Sequence, residues 1–369
     1  MQEDTSKMQR AVSALKTTFI ADALSMPVHW YYRVIDIDLA FDGGIKGFEA
    51  APVYHPSSIM SLHSTSSGGR QSARKKSAPN VVGEAILKGR AHHWGVANVH
   101  YHQGMQAGEN TLNAQCTRVL MRSLISTEGA YDKQAFVSDY IAFMTADTPQ
   151  HSDTYAESYH RGFFANYLQG RSPLKCAAIT HDTASIGALV TLAPLVFCLY
   201  LRNEPVSDIQ VACREHLALT HPDDALMRVS DRYVTLLCGL LEAPDDDTIC
   251  ALLIEAAKSH GGFDLKGLVN RGVPDRQVVG HVFSSACYIS DAWPVVLYFA
   301  YKYRNEPWQG LLANTNVGGD NVHRGMVLGT ILGLQSASIA DQWFEKLVDH
   351  QSIAKEISEL MNPPSAPKQ

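Results

Sequence analysis

The chain has 369 residues, 46% of them hydrophobic and 18% charged, enough to bury a large core as one big domain or two small ones. A formal net charge of −6, with a single dense basic run at 70–76, excludes the global positive field that draws a protein to nucleic acid. No uninterrupted apolar stretch of about 18 residues occurs, so no membrane span is expected. The N-terminus lacks a signal-like apolar region, and the expected setting is cytoplasmic.

Taken in order, residues 8–25 carry apolar side chains at helical spacing (Met8, Val12, Leu15, Phe19, Ile20, Ala23, Leu24), and Pro27 should end that helix. The aromatic group His29-Trp30-Tyr31-Tyr32 follows at once. Residues 33–107 are the least regular part, with Gly43-Gly44, the polar stretch 61–77 and histidines at 92, 93, 100 and 102. Their spacing fits no standard zinc motif. From Gly108 onward the pattern is helical, with segments expected at 110–126, 133–145, 153–169, 185–201, 206–219, 223–242, 246–259, 275–304 (broken near Ser285), 321–335 and 339–361. The nearly all-apolar 186–200 should be a central buried helix. Alternating strand-like runs are scarce, and Pro, Gly and Asp punctuate the connections. The reading is all-α, one domain over 1–362 with a flexible tail at 363–369. The seven dispersed cysteines, without a C-x-x-C pair, read as buried free thiols.

Four stretches set an acidic or histidine residue beside small residues at a helix boundary. They are Ala21-Asp22-Ala23-Leu24-Ser25-Met26-Pro27-Val28-His29, Gly104 to Thr111, His181 to Gly187, and Gly318-Gly319-Asp320-Asn321-Val322-His323-Arg324-Gly325. In the last, two glycines permit a tight turn, and Asp320 or Asn321 can cap the helix that follows. Asp320, His323 and Arg324 then fall at i, i+3 and i+4 on one face, a set suited to a phosphate, a sugar or a metal ion, or to a plain cap with a solvated His and Arg. Asp153 with Glu157 reads as a capped, solvated helix face, with Tyr155 or His160 available to line a pocket. Tyr288 is a candidate for stacking on a ligand base, and Trp293 for the core.

These stretches resemble the ADP-ribosylglycohydrolases, the all-helical family that includes dinitrogenase-reductase-activating glycohydrolase and the J-type crystallins. The family's G-D-A-x-G-x-P-x-E is similar to Ala21 to His29, its T-D-D-T to Gly108-Glu109-Asn110-Thr111, its A-P-L helix to Leu192-Ala193-Pro194-Leu195, and its G-G-D-x-D-[ST] to Gly318 to His323. The likeness spans roughly residues 10–345. It implies an orthogonal multi-helix bundle, a pair of Mg²⁺ ions, and cleavage of a ribosyl glycosidic bond in a small-molecule or ADP-ribosylated substrate. The departures stand at the ligand positions: His29 replaces a glutamate, Glu109-Asn110 replaces Asp-Asp, and Val322 and His323 replace the second aspartate and the hydroxyl residue. Carried over residue by residue, the resemblance implies Glu109, Thr111 and Asp320 as metal ligands, for one ion rather than two. Glu109 and Asp320 would serve as base and charge stabiliser, with His323 or His29 as acid. Asn110, Gly318, Gly319, Asn321, Arg324 and Tyr155 would bind substrate. The alternatives are an inactive crystallin-like or ADP-ribose-binding member, and a metal-independent nucleoside-cleaving or ribosyl-transferring enzyme. On the leading reading Glu109, Asp320, His29 and His323 converge in one pocket.

Overall fold

A computed structural model describes residues 2–58, 60, 80–180 and 182–361; the basic run at 70–76, the polar stretch 61–77, His181 and the tail at 363–369 lie outside these. Helix α1 (Gln2–Ser25) ends where Met26–Val28 tightens into a 3₁₀ turn around Pro27. A short α2 (Val34–Ala40) follows. After an irregular passage come α3 (Leu112–Ser126), α4 (Lys133–Thr145) and α5 (Ser158–Leu168). The segment expected as one helix over 185–201 is a 3₁₀ stretch, Ile186–Thr191, running into α6 (Leu192–Tyr200). Next are α7 (Val206–Ala218), α8 (Asp224–Glu242), α9 (Asp246–Lys258) and α10 (Leu265–Asn270). The break expected near Ser285 is real. A single turn, α11 (Asp275–Gln277), and a wide turn over Val278–Val282 precede α12 (Ile289–Lys302). Then follow α13 (Pro307–Asn316), α14 (Asn321–Gln335), α15 (Ser338–Trp343) and α16 (His350–Met361).

The fold is all-α, with only isolated β-bridges among the described residues. Three short helices, α2, α10 and α13, do not announce themselves by periodicity; α13 is marked instead by Pro307 at its first position, where a missing N–H costs nothing. Among the described residues no helix is long and apolar enough to cross a membrane. All seven cysteines are free, five of them buried.

What positions the site is the contact between α1 and α14. Every residue of α14 from Asn321 to Leu334 is buried, so the helix has no solvent face. It presents Gly325, Gly329 and Gly333, four apart and therefore on one stripe, to α1. A Cβ on Gly329 would lie 2.8 Å from the Thr17 carbonyl oxygen, and one on Gly333 2.6 Å from the Ala14 Cα. The two backbones meet at these glycines, and Thr18 and Thr330 hydroxyls bond across at 2.7 Å. Asp22 on α1 and Asp320 at the start of α14 are thereby held deep in the molecule, both with no exposed surface.

Candidate active site

The Gly318-Gly319 turn is knitted to two other segments. Both glycines have positive φ, +67° and +65°, and a Cβ on either would fall 2.1 Å from a carbonyl oxygen, that of Tyr31 or of Ser285. The Gly319 N–H donates to Tyr31 O at 2.7 Å, the Trp30 N–H to Gly319 O at 2.8 Å, and the Asp320 N–H to Ser285 O at 2.9 Å. Trp30 pays for this pairing with a left-handed φ of 59°, a strained conformation for an aromatic residue.

Asp320 occupies the N-cap position of α14, but its carboxylate caps no backbone N–H. Instead Oδ1 lies 3.1 Å from His29 Nε2 and 2.6 Å from His323 Nδ1. His29, Asp320 and His323 thus converge, each offering a ligand atom within 4.8 Å of the others. From His29 a row of bonds runs inward: His29 Nδ1 to His102 Nε2 at 2.7 Å, and His102 Nδ1 to Asp153 Oδ1 at 2.8 Å. Asp153 also accepts the N–H groups of Leu112 and Tyr155, at 2.8 and 3.2 Å. On the other side His323 Nε2 is 3.5 Å from Glu157 Oε1, which accepts the Asn113 amide at 2.8 Å. Glu157 Oε2 faces His160 Nε2 at 3.6 Å, and His160 Nδ1 meets the Tyr140 hydroxyl at 2.5 Å.

Burial and neighbours set the charges. Burial opposes ionisation of Asp320, but His323 and His29 outweigh it and hold the carboxyl well below the usual range. His323 is pushed up to about 10: burial works against its charge, and Asp320 and Glu157 overcome it. Glu157 is likewise held low against burial, chiefly by His323 and His160. Burial lowers His29 to about 3, only partly offset by its bond to Asp320. His102 is raised by Asp153 despite burial, and Asp153 is lowered by His102.

The other expected site residues lie elsewhere or are already engaged. Glu109 makes no bond to Asp320, His29 or His323. Its carboxylate accepts the Gln106 N–H at 2.7 Å and lines a separate polar cleft of about 450 Å³ with Arg90, His151 and Asp349. The positive φ of Gly108, pressed against the Lys346 carbonyl, turns Glu109 outward while Asn110 and Thr111 turn in. These two meet Asp22, which takes the Thr111 hydroxyl at 2.6 Å, the Thr111 N–H at 2.8 Å and the Asn110 amide at 2.9 Å. Arg324 is fully buried and donates to Asn314 Oδ1, Ser285 O and Gly318 O, so it braces the glycine turn rather than facing a phosphate. Asn321 donates to Thr315 O and Val28 O. Tyr155 is buried in a cluster with Trp30, Tyr101 and Trp94 instead of lying open to a ligand, and the Arg161 guanidinium stacks on Trp94. Tyr288 is half exposed and Trp293 is core.

Asp153 and Glu157, read from sequence as a solvated helix face, are both buried. Residues 152–157 belong to no regular element, and α5 begins only at Ser158, so their carboxylates turn inward to find N–H partners. His102, placed in an irregular stretch, and Glu157, read as solvated, are the residues that the sequence reading left outside the site, whereas His160 was expected as able to line a pocket. The one available signal was the His100-x-His102 alternation in an otherwise irregular stretch.

A pair of Mg²⁺ ions needs several hard oxygen ligands in one place. Here Glu109 faces another cleft, Thr111 and Asn110 are directed to Asp22, Val322 is buried hydrocarbon, and two imidazoles flank the remaining carboxylate. The residues present do not fit that pair.

A family model described as ADP-ribosylglycohydrolase matches residues 3–367. Among solved structures, the chain is similar to an "ADP-ribosylglycohydrolase-related protein complex", with TM-score 0.56 and 16% identity, covering 97% of this chain and 98% of the other. The sequence matches none of the curated proteins.

Proposed function

Because the chain belongs to the ADP-ribosylglycohydrolase family, we propose that it is a hydrolase of a ribosyl glycosidic bond in a small ADP-ribosyl or related conjugate, working through a site rebuilt around Asp320, His29, His323 and Glu157. The observation that carries this is a buried carboxylate, Asp320, that caps nothing, keeps Oδ2 without a hydrogen-bond partner, and sits between two imidazoles. A helix cap would be spent on backbone N–H groups.

Cleavage passes through an oxocarbenium-like state. The negative charge of Asp320 stabilises the electron-poor anomeric carbon. Glu157, whose Oε2 also has no hydrogen-bond partner, takes a proton from the attacking water and returns one to the leaving atom, so that the bond is replaced by C–OH and H-leaving group. Glu157 takes the part that the sequence assigned to Glu109. Trp30, partly open, offers a face for a ring of the substrate.

A second reading has one observation in its favour. His29 and Asp320 have no exposed surface, which suits a non-catalytic, crystallin-like or ligand-binding member. Release of free ADP-ribose from an ADP-ribosylated peptide, compared with binding of ADP-ribose, separates the two. Turnover that disappears in Asp320→Asn supports the hydrolase; binding with no release in the intact chain overturns it.

A further inference from the structure

The donor set around Asp320 has the wrong chemistry for magnesium and a coherent chemistry for another ion. We propose that His29 and His323, through ring nitrogens, and Asp320, through its carboxylate, together hold a single divalent ion of the zinc class where the family resemblance implies a magnesium pair. The location rests on reading this cluster as the working centre; the ion-binding claim does not require turnover.

Proton accounting along the bonded row leads there. Asp153 accepts two backbone N–H groups and the His102 Nδ1 hydrogen, so where an ion rather than a second proton sits on the row, His102 Nε2 is free only as an acceptor. That nitrogen is 2.7 Å from His29 Nδ1, which must then carry the hydrogen. His29 Nε2 is left as a bare lone pair 3.1 Å from a carboxylate oxygen. Two acceptors at that distance repel unless a positive charge lies with them. A proton on the row answers that one contact. It leaves Asp320 Oδ2 and both nitrogens of His323 without hydrogen bonds, although all are buried and His323 Nδ1 lies 2.6 Å from Asp320 Oδ1. A cation held by His29 Nε2, His323 Nδ1 and Asp320 occupies one lone pair on each side chain and leaves the hydrogen on His323 Nε2 facing Glu157 Oε1 at 3.5 Å.

The ion class follows from the ligands. Two imidazoles with one carboxylate suit zinc, cobalt or ferrous iron, whereas magnesium prefers oxygen and water. A ligating histidine usually donates its second ring N–H to a fixed acceptor, and here His29 is backed by His102 and Asp153, and His323 by Glu157. Both backing rows end in buried carboxylates. That support is what a coordinating imidazole needs and a solvated one does not.

The test uses the full chain stripped with EDTA and titrated separately with Zn²⁺, Co²⁺ and Mg²⁺, following heat of binding and the visible absorption of bound Co²⁺. One equivalent of Zn²⁺ or Co²⁺ should bind, with Mg²⁺ on the order of 1,000-fold weaker. His29→Gln and His323→Gln should each weaken Zn²⁺ binding by about 100-fold or more, and His102→Asn, which touches no ion, by about 10-fold. Equal affinity for Mg²⁺, a second tight equivalent, or unchanged Zn²⁺ affinity in the His29 and His323 variants overturns the proposal. Should those variants fail to fold by circular dichroism, the stoichiometry and Co²⁺ spectrum of the unmodified chain still decide it. Zinc bound without ADP-ribose release would overturn the hydrolase reading and leave this one standing; release with no zinc bound would do the reverse.

Discussion

At the scale of single residues, Asp320 and Gly319 do different work in the same turn, and their variants should fail differently. Asp320→Asn keeps the shape but removes the charge shared with His29 and His323. It is expected to cut ADP-ribose release by about 100-fold or more, with the folded state kept in a thermal melt. Gly319→Ala attacks the backbone itself. A Cβ there meets Ser285 O at 2.1 Å on a residue held at φ +65°, and the left-handed conformation alone costs roughly 1–2 kcal/mol. A loss of ~2 kcal/mol or more is expected in urea unfolding, together with loss of the site. The Asp320 position was legible from the Gly-Gly-Asp spacing. Its partner Glu157 was not, because an i, i+4 acidic pair beside Tyr and His reads as a helix face. Only the late start of α5 turns that carboxylate inward.

Between elements, two contacts hold the frame around the site. The glycine stripe of α14 lets α1 approach until backbone meets backbone, so Gly329→Leu should force the helices apart. The expected cost is about 1–3 kcal/mol or more from overpacking, read as a lowered denaturation midpoint, with activity falling further than stability because Asp22 and Asp320 ride on the two helices. The second contact ties α16 to α3. Arg118 is buried and bonds Glu356 through Nε at 2.8 Å and Nη2 at 3.0 Å, and Asp349 at 2.8 Å. Arg118→Ala strands the buried Glu356 with Arg122 as its remaining partner, and such broken buried pairs cost about 3–5 kcal/mol. Calorimetry should show that loss, and a variant with native stability would make the pair a bystander. Helix α14 was expected from its apolar run. That Gly325, Gly329 and Gly333 are the contact face was not, since spacing shows a stripe but not which helix lies against it.

For the whole molecule, burial of neutral histidines makes acid the vulnerable side. Burial lowers His216 and His221 to about 3 and His55 and His151 to about 4, from an ordinary 6.5. Below pH 6.5 the unfolded chain takes up protons that the folded chain refuses, so stability falls as pH falls, by roughly 1 kcal/mol per pH unit for each such group. The raised groups His102 and His323 add no slope there, since they are protonated in both states. Unfolding free energy should therefore drop steeply between pH 6 and 4, and His216→Gln, remote from the site on α7, should flatten the slope by about one proton. An unchanged slope would mean that His216 titrates normally. The amino-acid sequence by itself determined the all-α class, most helix positions, and the turn carrying Asp320, because helical periodicity, proline stops and a Gly-Gly-Asp spacing are local signals. The tertiary structure alone decided that Glu109 faces another cleft, that Arg324 braces a turn, and that His102, Asp153, Glu157 and His160 join one buried row with Asp320. Those outcomes depend on which segments pack together and on buried polar groups finding partners across long sequence separations, and no local pattern encodes that search.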